Sequence, residues 1–256
     1  MLKVATYNVN SIRSRLHIVI PWLERKGADL LMMQETKVED TKFPVGEFEK
    51  IGYHAVFHGR GGYSGIAIAS KEELEGIEFG LFGSDPYRIV RGVYRGVHVI
   101  NTYVPQGFRI ESPKYRYKVE WLKELRKLLE KEYERGWKVL LGGDLNVAPE
   151  SIDVHDPEGL KDHVDFHVEV RELFKELLSW GLVDLFRKYR PGEVKQYTFY
   201  DYRVRDAVKR GLGWRVDHLF ATEPLAERSV DCYIDLEPRL SERPSDHTVL
   251  LAEFDI

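Results

Sequence analysis

The chain has 256 residues, of which 43% are hydrophobic and 31% are charged, and its formal net charge is −4. This balance is typical of a soluble globular protein and excludes a disordered tail. A single cysteine, Cys232, excludes an intramolecular disulfide and a thiolate-rich metal site. The negative net charge does not indicate a nucleic-acid-binding protein. However, a nucleic-acid-binding protein with a carboxylate centre inside a basic rim would have the same net charge.

The sequence offers no membrane or secretion signal. No apolar run approaches the roughly 20 residues that span a bilayer, and the opening segment MLKVATYNVN predicts a strand instead of a leader. We therefore expect a cytoplasmic protein with no membrane partner. Three Gln and four Asn stand beside abundant Glu, Lys and Arg, a bias that resembles the composition of hyperthermophile proteins.

Apolar, β-rich runs predict strands, and helical periodicity appears between them. The predicted strands are Val4–Val9, Asp29–Gln34, His54–Phe57, Gly65–Ser70, Ile89–Tyr94, Val97–Tyr103, Lys138–Leu141, Val216–Ala221 and Val249–Phe254. The predicted helices are about Arg13–Arg25, where Pro21 disturbs the pattern, Ser112–Gly136 and about Phe166–Trp180. Cys232 lies in a further alternating segment, where we expect a small core residue.

A coarse duplication runs through these elements. In the first half, a strand carrying Asn8 leads through a helix to a strand that ends at Glu35. In the middle, a strand carrying Tyr103 leads through a helix to a strand that ends at Asp144. No linker or composition break divides the chain, so we predict one α/β domain over residues 1–256, with two sheets face to face and helices outside.

The segment GGDLNVAP follows the apolar run WKVLL and places Asp144 two residues before Asn146. If the strand continues through them, both side chains leave the sheet on one face. A proton acceptor and an amide donor would then stand side by side. Gly, Asp and Asn are also ordinary turn residues, so the octapeptide alone leaves a turn equally open.

Other polar groups stand at the edges of apolar strands, in the segments TYNVN, MMQETK, NTYVPQG, WRVDH and PSDHTVL. They are Asn8, Glu35, Tyr103, Gln106, Asp217, Asp246 and His247. Each alone has a structural explanation; Asn8 can close a turn, for example, and Asp217 can pair with Arg215. Their recurrence at equivalent places favours one shared functional site.

The ligand types favour a hard divalent metal. Carboxylate and amide oxygens with one imidazole and no thiolate suit Mg²⁺ or Mn²⁺ better than structural zinc. Because Mg²⁺ keeps several waters and takes substrate phosphate, Glu35 with Asn8 and a third group would suffice. The candidate ligands are Asn8, Glu35, Asp144, Asn146, Asp246 and His247.

Phosphodiester hydrolysis suits such a site, because water must be oriented and deprotonated while charge accumulates on the phosphoryl oxygens. Asp144 would accept the proton of water, and Asn146 would donate to a phosphate oxygen. His247 held by Asp217 would bind a phosphate oxygen or assist proton transfer.

The chain resembles the exonuclease III/apurinic-apyrimidinic (AP) endonuclease family of DNA repair enzymes, within the endonuclease/exonuclease/phosphatase superfamily. The matching blocks, in order, are ATYNVNSIRSRL, LLMMQETK, GYSGIAIAS, INTYVPQG, LLGGDLNVAPESID, YTFYDYR, GLGWRVDHLFAT and PSDHTVL. The resemblance implies a four-layer α/β sandwich and a Mg²⁺-dependent cut 5′ to an abasic site in double-stranded DNA, which leaves a 3′-hydroxyl. We also expect accessory 3′→5′ exonuclease activity, substitution of Mn²⁺ for Mg²⁺, and a monomer.

Carried over residue by residue, the resemblance implies that Glu35 is the principal metal ligand, with Asn8 and Asp246 nearby. The implied catalytic residues are Tyr103, Asp144, Asn146, Asp217 and His247. Asp144 would activate water, and Tyr103 would contact the phosphate or assist the leaving group. Competing assignments of base, acid and metal ligand among these residues stay open.

The resemblance also implies a DNA interface. Phe199, Trp214 and Val216 resemble the wall of the family's pocket for a flipped, baseless sugar, although Phe199 and Val216 are equally explained as core. The other candidates for DNA contact, in or beside the matching blocks, are Lys37, Tyr63, Gln106 and Arg109.

Three positions depart from the family's pattern. Asn10 stands where some relatives have Asp, which puts a second metal position in doubt. Tyr200 and His218 replace a common Trp and a common Tyr, and they would alter how a damaged nucleotide is held, including whether uracil or other damaged bases are accepted.

Two other functions remain open from the sequence. One is a phosphodiesterase of the same superfamily with a non-DNA substrate, an inositol phosphate or sphingomyelin, against which the YVPQG and GLGWRVD blocks count. The other is a non-catalytic DNA-binding descendant. Retention of Glu35, Asp144, Asn146, Asp217 and His247 together counts against it.

Overall fold

The computed structural model describes residues 1–256 and arranges twelve strands in two six-stranded sheets. The strands are β1 (Leu2–Asn8), β2 (Leu30–Gln34), β3 (His54–His58), β4 (Ile66–Ser70), β5 (Glu75–Phe79), β6 (Ile89–Tyr94), β7 (Val97–Tyr103), β8 (Val139–Asp144), β9 (Leu182–Asp184), β10 (Asp217–Thr222), β11 (Ser229–Asp235) and β12 (Val249–Phe254). All strands predicted from the sequence are present. The prediction missed β5, whose residues are mostly exposed, and the three-residue strand β9, and it gave β11 only as the alternating segment around Cys232.

The three long helices are also those predicted. The helices are α1 (Ile12–Lys26), α2 (Val45–Glu49), α3 (Pro113–Glu132), α4 (Val168–Ser179), α5 (Leu185–Tyr189), α6 (Ala207–Arg210), α7 (Glu223–Ala226) and α8 (Glu237–Leu240). The Ser112 hydroxyl oxygen accepts the Tyr115 N–H at the start of α3, as its place before Pro113 predicts. α1 continues through Pro21 and ends at Gly27 in left-handed geometry. None of the helices combines the length and apolarity that a bilayer span requires.

The two sheets repeat one pattern of strands. The first sheet has the order β11-β12-β1-β2-β4-β3, and the second has the order β5-β6-β7-β8-β10-β9. In each sheet one central pair is parallel, β1 with β2 and β7 with β8, and the remaining neighbours are antiparallel. This equivalence confirms the duplication inferred from the sequence.

Three apolar clusters fill the spaces between four layers. One cluster lies between the sheets and includes Met32, Val99 and Leu250. A second joins the second sheet to α3 and α4, and a third joins the first sheet to α1 through Trp22. Cys232 is buried in the cluster between the sheets and forms no disulfide, as predicted. The four-layer α/β sandwich is therefore confirmed.

Two glycines let the strands approach closely just before Asp144. A Cβ atom on Gly142 would lie 2.7 Å from the Met32 Cε across the sheets. A Cβ atom on Gly143, which has φ of 134°, would lie 1.9 Å from the Thr102 carbonyl oxygen on β7. Both glycines belong to β8, so their presence reflects close packing instead of a turn.

We expect Gly143→Ala to lower the free energy of unfolding by about 3 kcal/mol or more, because the added methyl meets backbone and φ is unfavourable for alanine. Gly136→Ala is the matched control, since no atom lies within 4 Å of its Cβ position. Urea unfolding of both variants measures the difference. Equal free energies of unfolding for the two variants would contradict this prediction, because they would show that β8 can move to accommodate the added methyl group.

Candidate active site

The polar groups predicted from the sequence meet where the central strands of the two sheets end. Asn8 ends β1 in the first sheet, and Asp144 ends β8 in the second. The Asn8 Nδ2 donates to Glu35 Oε1 at 2.8 Å and to Asp144 Oδ2 at 2.9 Å. One amide thus joins the carboxylates of the two equivalent halves, and the predicted convergence is confirmed.

The Asn8 side-chain amide is not oriented as that of a metal ligand would be. Its side-chain oxygen accepts the backbone N–H of Asn10 at 3.0 Å, while its nitrogen faces the carboxylates. In this arrangement Asn8 positions Glu35 and Asp144. A contact between the Asn8 oxygen and a metal would require the amide to turn over.

Asp144 and Asn146 do not share a strand face. β8 stops at Asp144, and Asn146 has a left-handed φ of 50°. The strand continuation considered from the sequence is therefore wrong, and the turn is present. Because the turn folds back, the Asn146 N–H donates to Asp144 Oδ1 at 2.9 Å. The Asn146 side chain donates one hydrogen to the Val104 carbonyl at 2.9 Å, which leaves its second amide hydrogen available.

Asp217 and His247 form a buried pair opposite Asp144. Asp217 is the register partner of Asp144 on β10, and its Oδ2 lies 2.8 Å from His247 Nδ1. The His247 Nε2 lies 3.8 Å from Asp144 Oδ2. Burial works against the charged imidazole, but Asp217 and Asp144 outweigh it and raise the pKa of His247. His247 is therefore held as a cation beside Asp217 and Asp144. Arg215, the alternative partner of Asp217 considered from the sequence, pairs with other residues.

The site carries more negative charge than its own cations balance. Burial, together with the charges of Asp217 and Glu35, raises the pKa of Asp144, whereas the His247 charge acts in the opposite direction. Asp217 Oδ1 is buried and has no hydrogen-bond partner. An additional positive charge would stabilise the ionised form of Asp144.

Glu35 is held ionised by its neighbours. Burial disfavours its charge, but the Lys37 ammonium and the Asn8 amide outweigh burial and lower the pKa of Glu35. The Lys37 Nζ lies 2.7 Å from Glu35 Oε2 and 2.6 Å from Asn10 Oδ1. Lys37 is half-buried at the edge of the acidic cluster, with its ammonium paired to Glu35 and Asn10, and its contact with DNA stays a prediction.

Asp246 joins the cluster through Asn10. The Asn10 Nδ2 donates to Asp246 Oδ1 at 3.0 Å, and the Ser245 hydroxyl lies 3.3 Å from the same oxygen. Asp246 lines the same cavity as Glu35, Asn146 and His247.

The Tyr103 hydroxyl remains protonated at neutral pH. Burial, followed by the charges of Glu35 and Asp144, raises the pKa of Tyr103 well above its ordinary value. The Arg88 guanidinium lies over the Tyr103 ring, 4.5 Å from its centroid. Tyr103 can therefore donate a hydrogen bond to an anion at the ends of β7 and β8.

The acidic cluster opens into a cavity of about 520 Å³. Phe199, Trp214 and Val216 line it, as predicted, and the Phe199 ring lies 5.0 Å from the His247 ring. Gln106 also lines this cavity. Of the other proposed DNA contacts, Tyr63 is 80% exposed, and Arg109 is exposed on the loop after β7.

Sequence reasoning missed several residues around this cavity. His155 and His163 flank Trp214, with ring centroids 6.1 and 4.5 Å from the indole. They lie in a segment without strand or helix periodicity, which gave no signal. Lys118 was also missed, although a lysine on the apolar stripe of α3 was a visible signal.

Lys118 is completely buried beneath the catalytic loops. Its ammonium donates to the carbonyl oxygens of Asn146 at 2.5 Å and Val164 at 2.9 Å, and to Asp165 Oδ1 at 2.6 Å. An ammonium has three hydrogens, so these acceptors and the Gln106 carbonyl oxygen, at 3.2 Å, share them. Lys118 therefore fixes the backbone of Asn146 relative to the cavity wall.

A second buried charge, the Arg215 guanidinium, stabilises the segment that leads into β10. The Arg215 Nε donates to Asp153 Oδ1 at 2.6 Å, and its Nη1 donates to Asp184 Oδ2 at 2.9 Å. The same Nη1 lies 3.1 Å from His218 Nδ1, while His218 Nε2 lies 2.8 Å from the Val147 carbonyl. These bonds hold Trp214, Val216 and Asp217 in place on either side of Arg215.

The donor set fits a hard divalent cation. Glu35, Asp144 and Asp246 supply carboxylate oxygens, and no thiolate is near. One ligand atom each from Asp144, Asp217 and His247 lies within 4.8 Å of the others. Asp217 is engaged with His247, so Glu35 and Asp144, which share the Asn8 amide, are the better ligands.

Known proteins are similar to this chain in sequence and fold. A family model described as the Endonuclease/Exonuclease/phosphatase family matches residues 5–247. An exodeoxyribonuclease III from Haemophilus influenzae is 32% identical, and the match covers 99% of this chain and all of that protein. The structure of an AP endonuclease from Archaeoglobus fulgidus superposes with a TM-score of 0.98 and 56% identity over 100% of both chains.

Two further solved structures share the fold, and one of them contains DNA. The 3′-5′ exonuclease NExo from Neisseria meningitidis is 37% identical, with a TM-score of 0.96 over 100% of both chains. A Neisseria NExo structure described as a 3′ phosphatase bound to a product DNA hairpin has the same identity and coverage and a TM-score of 0.95.

The fold and the acidic centre define a metal-dependent nuclease. The chain belongs to the exonuclease III/AP endonuclease family, within the endonuclease/exonuclease/phosphatase superfamily, and is a DNA repair nuclease of that type.

We expect His218 to make the folded state sensitive to acid. Burial, followed by the Arg215 charge, lowers the pKa of His218 to about 4, whereas an unfolded histidine titrates near 6.5. The unfolded chain therefore binds a proton that the folded chain rejects, and stability falls as the pH drops from about 6.5 to about 4.

His218→Gln should flatten this dependence by up to about 1.4 kcal/mol per pH unit. Urea unfolding of both proteins from pH 4 to pH 7 measures the two slopes. Parallel slopes would mean that His218 is protonated in the folded state.

Proposed function

We propose that the chain is a Mg²⁺-dependent endonuclease that cuts the phosphodiester 5′ to an abasic site in double-stranded DNA and leaves a 3′-hydroxyl. Exonuclease activity in the 3′→5′ direction would use the same centre. The observation that carries the proposal is a cavity walled by Phe199, Trp214 and Val216 beside the Asp144–His247 pair. The similarity to an AP endonuclease and to an exodeoxyribonuclease III supports the two activities.

Asp144 is the proposed acceptor of the proton of the attacking water. The Asn146 N–H fixes one of its oxygens, and the Asn8 amide fixes the other. An orientation set before the substrate arrives lowers the entropy cost of reaching the transition state. The raised pKa of Asp144 gives the carboxylate a higher proton affinity than an exposed aspartate has.

Three donors would stabilise charge on the phosphoryl oxygens. The His247 imidazolium lines the cavity with its Nε2 3.8 Å from Asp144, the Asn146 amide retains one free hydrogen, and the Tyr103 hydroxyl stays protonated. Preorganised donors in a partly desolvated site act most strongly on charge that develops in the transition state. Tyr103 would also donate to the leaving oxygen.

Mg²⁺, or Mn²⁺ in its place, would be held by Glu35 and Asp144, with Asp246 nearby. Such an ion supplies charge neutralisation for the phosphate and acidifies its bound water. Its positive charge would offset the excess negative charge of the carboxylates in the cluster.

The apolar wall supports the proposed preference for a missing base. Turning a nucleotide out of the duplex costs stacking and pairing energy, and that cost is least when the base is absent. Trp214 and Phe199 would then pack on the sugar while His247 and Asn146 reach its phosphate. Exposed Tyr63 and Arg109 would contact the flanking DNA.

A panel of duplexes tests the proposal. The panel contains four duplexes: one with a tetrahydrofuran site, one with a uracil, one with a nick whose 3′ end is blocked, and one without damage. Each duplex is incubated with and without Mg²⁺. We expect a metal-dependent nick 5′ to the tetrahydrofuran site. The absence of a nick with any divalent metal would defeat the proposal, and cleavage at uracil would extend the substrate range.

Asp144→Asn should lower kcat for the tetrahydrofuran duplex by about 10²–10⁴-fold, because it removes the proton acceptor at constant shape. Binding of the uncut duplex in EDTA should change little. Glu120→Gln, an exposed change on α3, is the control. Unchanged kcat would assign the base to another group, and loss of binding would indicate a structural role.

Trp214→Ala should weaken binding of the tetrahydrofuran duplex more than binding of undamaged DNA, because only the former places a sugar against the indole. Fluorescence anisotropy with both duplexes measures the ratio of dissociation constants. Trp137→Ala removes a half-exposed tryptophan far from the cavity and should leave that ratio unchanged. Equal weakening of both duplexes by Trp214→Ala would contradict a pocket role.

A further inference from the structure

A pair of buried amides lies between the two sheets, next to the active centre. Gln34 belongs to β2 and Asn101 to β7, and neither is exposed to solvent. The space between the sheets is otherwise filled by an apolar cluster that includes Met32, Ile66 and Val99. An amide in such a place costs free energy unless it is hydrogen-bonded, so packing alone does not account for these two side chains.

The two amides bond the sheets to each other. The Gln34 Nε2 donates to Asn101 Oδ1 at 2.7 Å and to Thr6 Oγ1 on β1 at 2.9 Å. The Asn101 Nδ2 donates to the carbonyl oxygens of Ala67 at 2.8 Å and Met33 at 3.2 Å. One side chain of the second sheet is thereby hydrogen-bonded to both β2 and β4 of the first sheet.

Both amides stand next to functional groups of the site. Gln34 immediately precedes Glu35, the proposed metal ligand. Asn101 lies two residues before Tyr103 on β7, so the two side chains leave the strand on the same face. The Asn8 amide bonds to Glu35 and to Asp144 but does not reach Tyr103. The bond between Gln34 and Asn101 is therefore the nearest link from the Glu35 segment to the Tyr103 strand.

The segment after Gln34 needs such an anchor. The regular pairing of β2 with β1 and β4 ends at Gln34, and Glu35 follows in a left-handed turn with φ of 52°. Apolar contacts between the sheets oppose their separation, but they are non-directional and do not fix one sheet against sliding over the other. A hydrogen bond depends on both distance and angle, so the amide pair can fix this position where apolar packing cannot.

We propose that Gln34 and Asn101 are positioning residues that set the distance between Glu35 and Tyr103, so that the metal and the donor to the leaving oxygen act on the same phosphodiester. The proposal rests on the proposed function and adds to it a support that touches neither substrate nor metal. A displacement of about 1 Å between groups that act together can lower a rate about 10²-fold, which gives the buried amides a physical role.

The test is a cycle of two substitutions of similar shape, Gln34→Met and Asn101→Leu, made singly and together. Each alone leaves the other amide without its partner and should destabilise the fold, whereas the double variant has no unpaired amide. Urea unfolding should therefore show that the two losses of stability do not add. Because all three variants lack the same bond, kcat for the tetrahydrofuran duplex should fall about 10²-fold in each of them, with KM changed by less than about 3-fold.

Metal affinity gives a second measurement that does not depend on activity. Binding of Mn²⁺ without DNA, followed by electron paramagnetic resonance, should weaken about 10-fold in the double variant, because Glu35 is no longer held in place. Thr6→Val is a milder variant that keeps the side-chain shape and removes one acceptor of Gln34. It should fold normally and lower kcat about 3-fold or more.

Tyr53→Phe is the matched control. Its hydroxyl donates to the Ala28 carbonyl oxygen at 2.6 Å in a buried bond outside the active centre. The substitution should lower stability but leave kcat and Mn²⁺ affinity unchanged. Recovery of kcat together with stability in the double variant would overturn the proposal, because the amides would then be merely structural. Equal losses of kcat in Tyr53→Phe would overturn it too.

The measurements separate this proposal from the proposed function. An unsubstituted protein that does not nick the tetrahydrofuran duplex would overturn the proposed function, while the Mn²⁺ affinity of the double variant would still test whether the amide pair positions Glu35. A protein that nicks the duplex, and whose double variant keeps both kcat and Mn²⁺ affinity, would overturn the positioning role alone.

Discussion

The active centre depends on one amide that joins the two halves of the fold. Asn8 belongs to the first sheet and donates to Asp144 of the second sheet and to Glu35 after β2. These groups can meet because β1–β2 and β7–β8 are the equivalent parallel pairs, and their carboxyl ends face the same edge. Close packing over Gly142 and Gly143 sets how near the pairs approach. The site is therefore a property of the sheet pairing and not of any single loop.

Electrostatics explains why that edge is suited to phosphate chemistry. Burial raises the proton affinity of Asp144, while Lys37 keeps Glu35 ionised and Asp217 keeps His247 charged. Each charged group thus has a partner that sets its protonation state, and the remaining excess is negative. A divalent cation brings two positive charges and a phosphodiester one negative charge, so together they add positive charge that offsets part of this excess.

The layers and the catalytic residues could be predicted from the sequence because both depend on short strands that end in polar residues. Asn8, Glu35 and Asp144 follow apolar runs whose ends the period-2 pattern locates to within a few residues. Features that depend on backbone turns could not be predicted in this way. The left-handed φ of Asn146 moved its side chain off the strand face, and Lys37 turned inwards because Glu35 and Asn10 offer it acceptors.

Several residues in and beside the site have a strained backbone, and a buried charge holds part of that backbone in place. Glu35, Lys37, Phe108 and Asn146 have φ of 52°, 51°, 66° and 50°, a region that costs non-glycine residues about 1–2 kcal/mol each. Lys118 clamps the backbone on which Asn146 and Gln106 lie. An apolar side chain could fill the same space, but it could not bind carbonyls from three segments at once. A buried ammonium is therefore the group that can hold a strained catalytic turn and a neighbouring loop in one fixed relation.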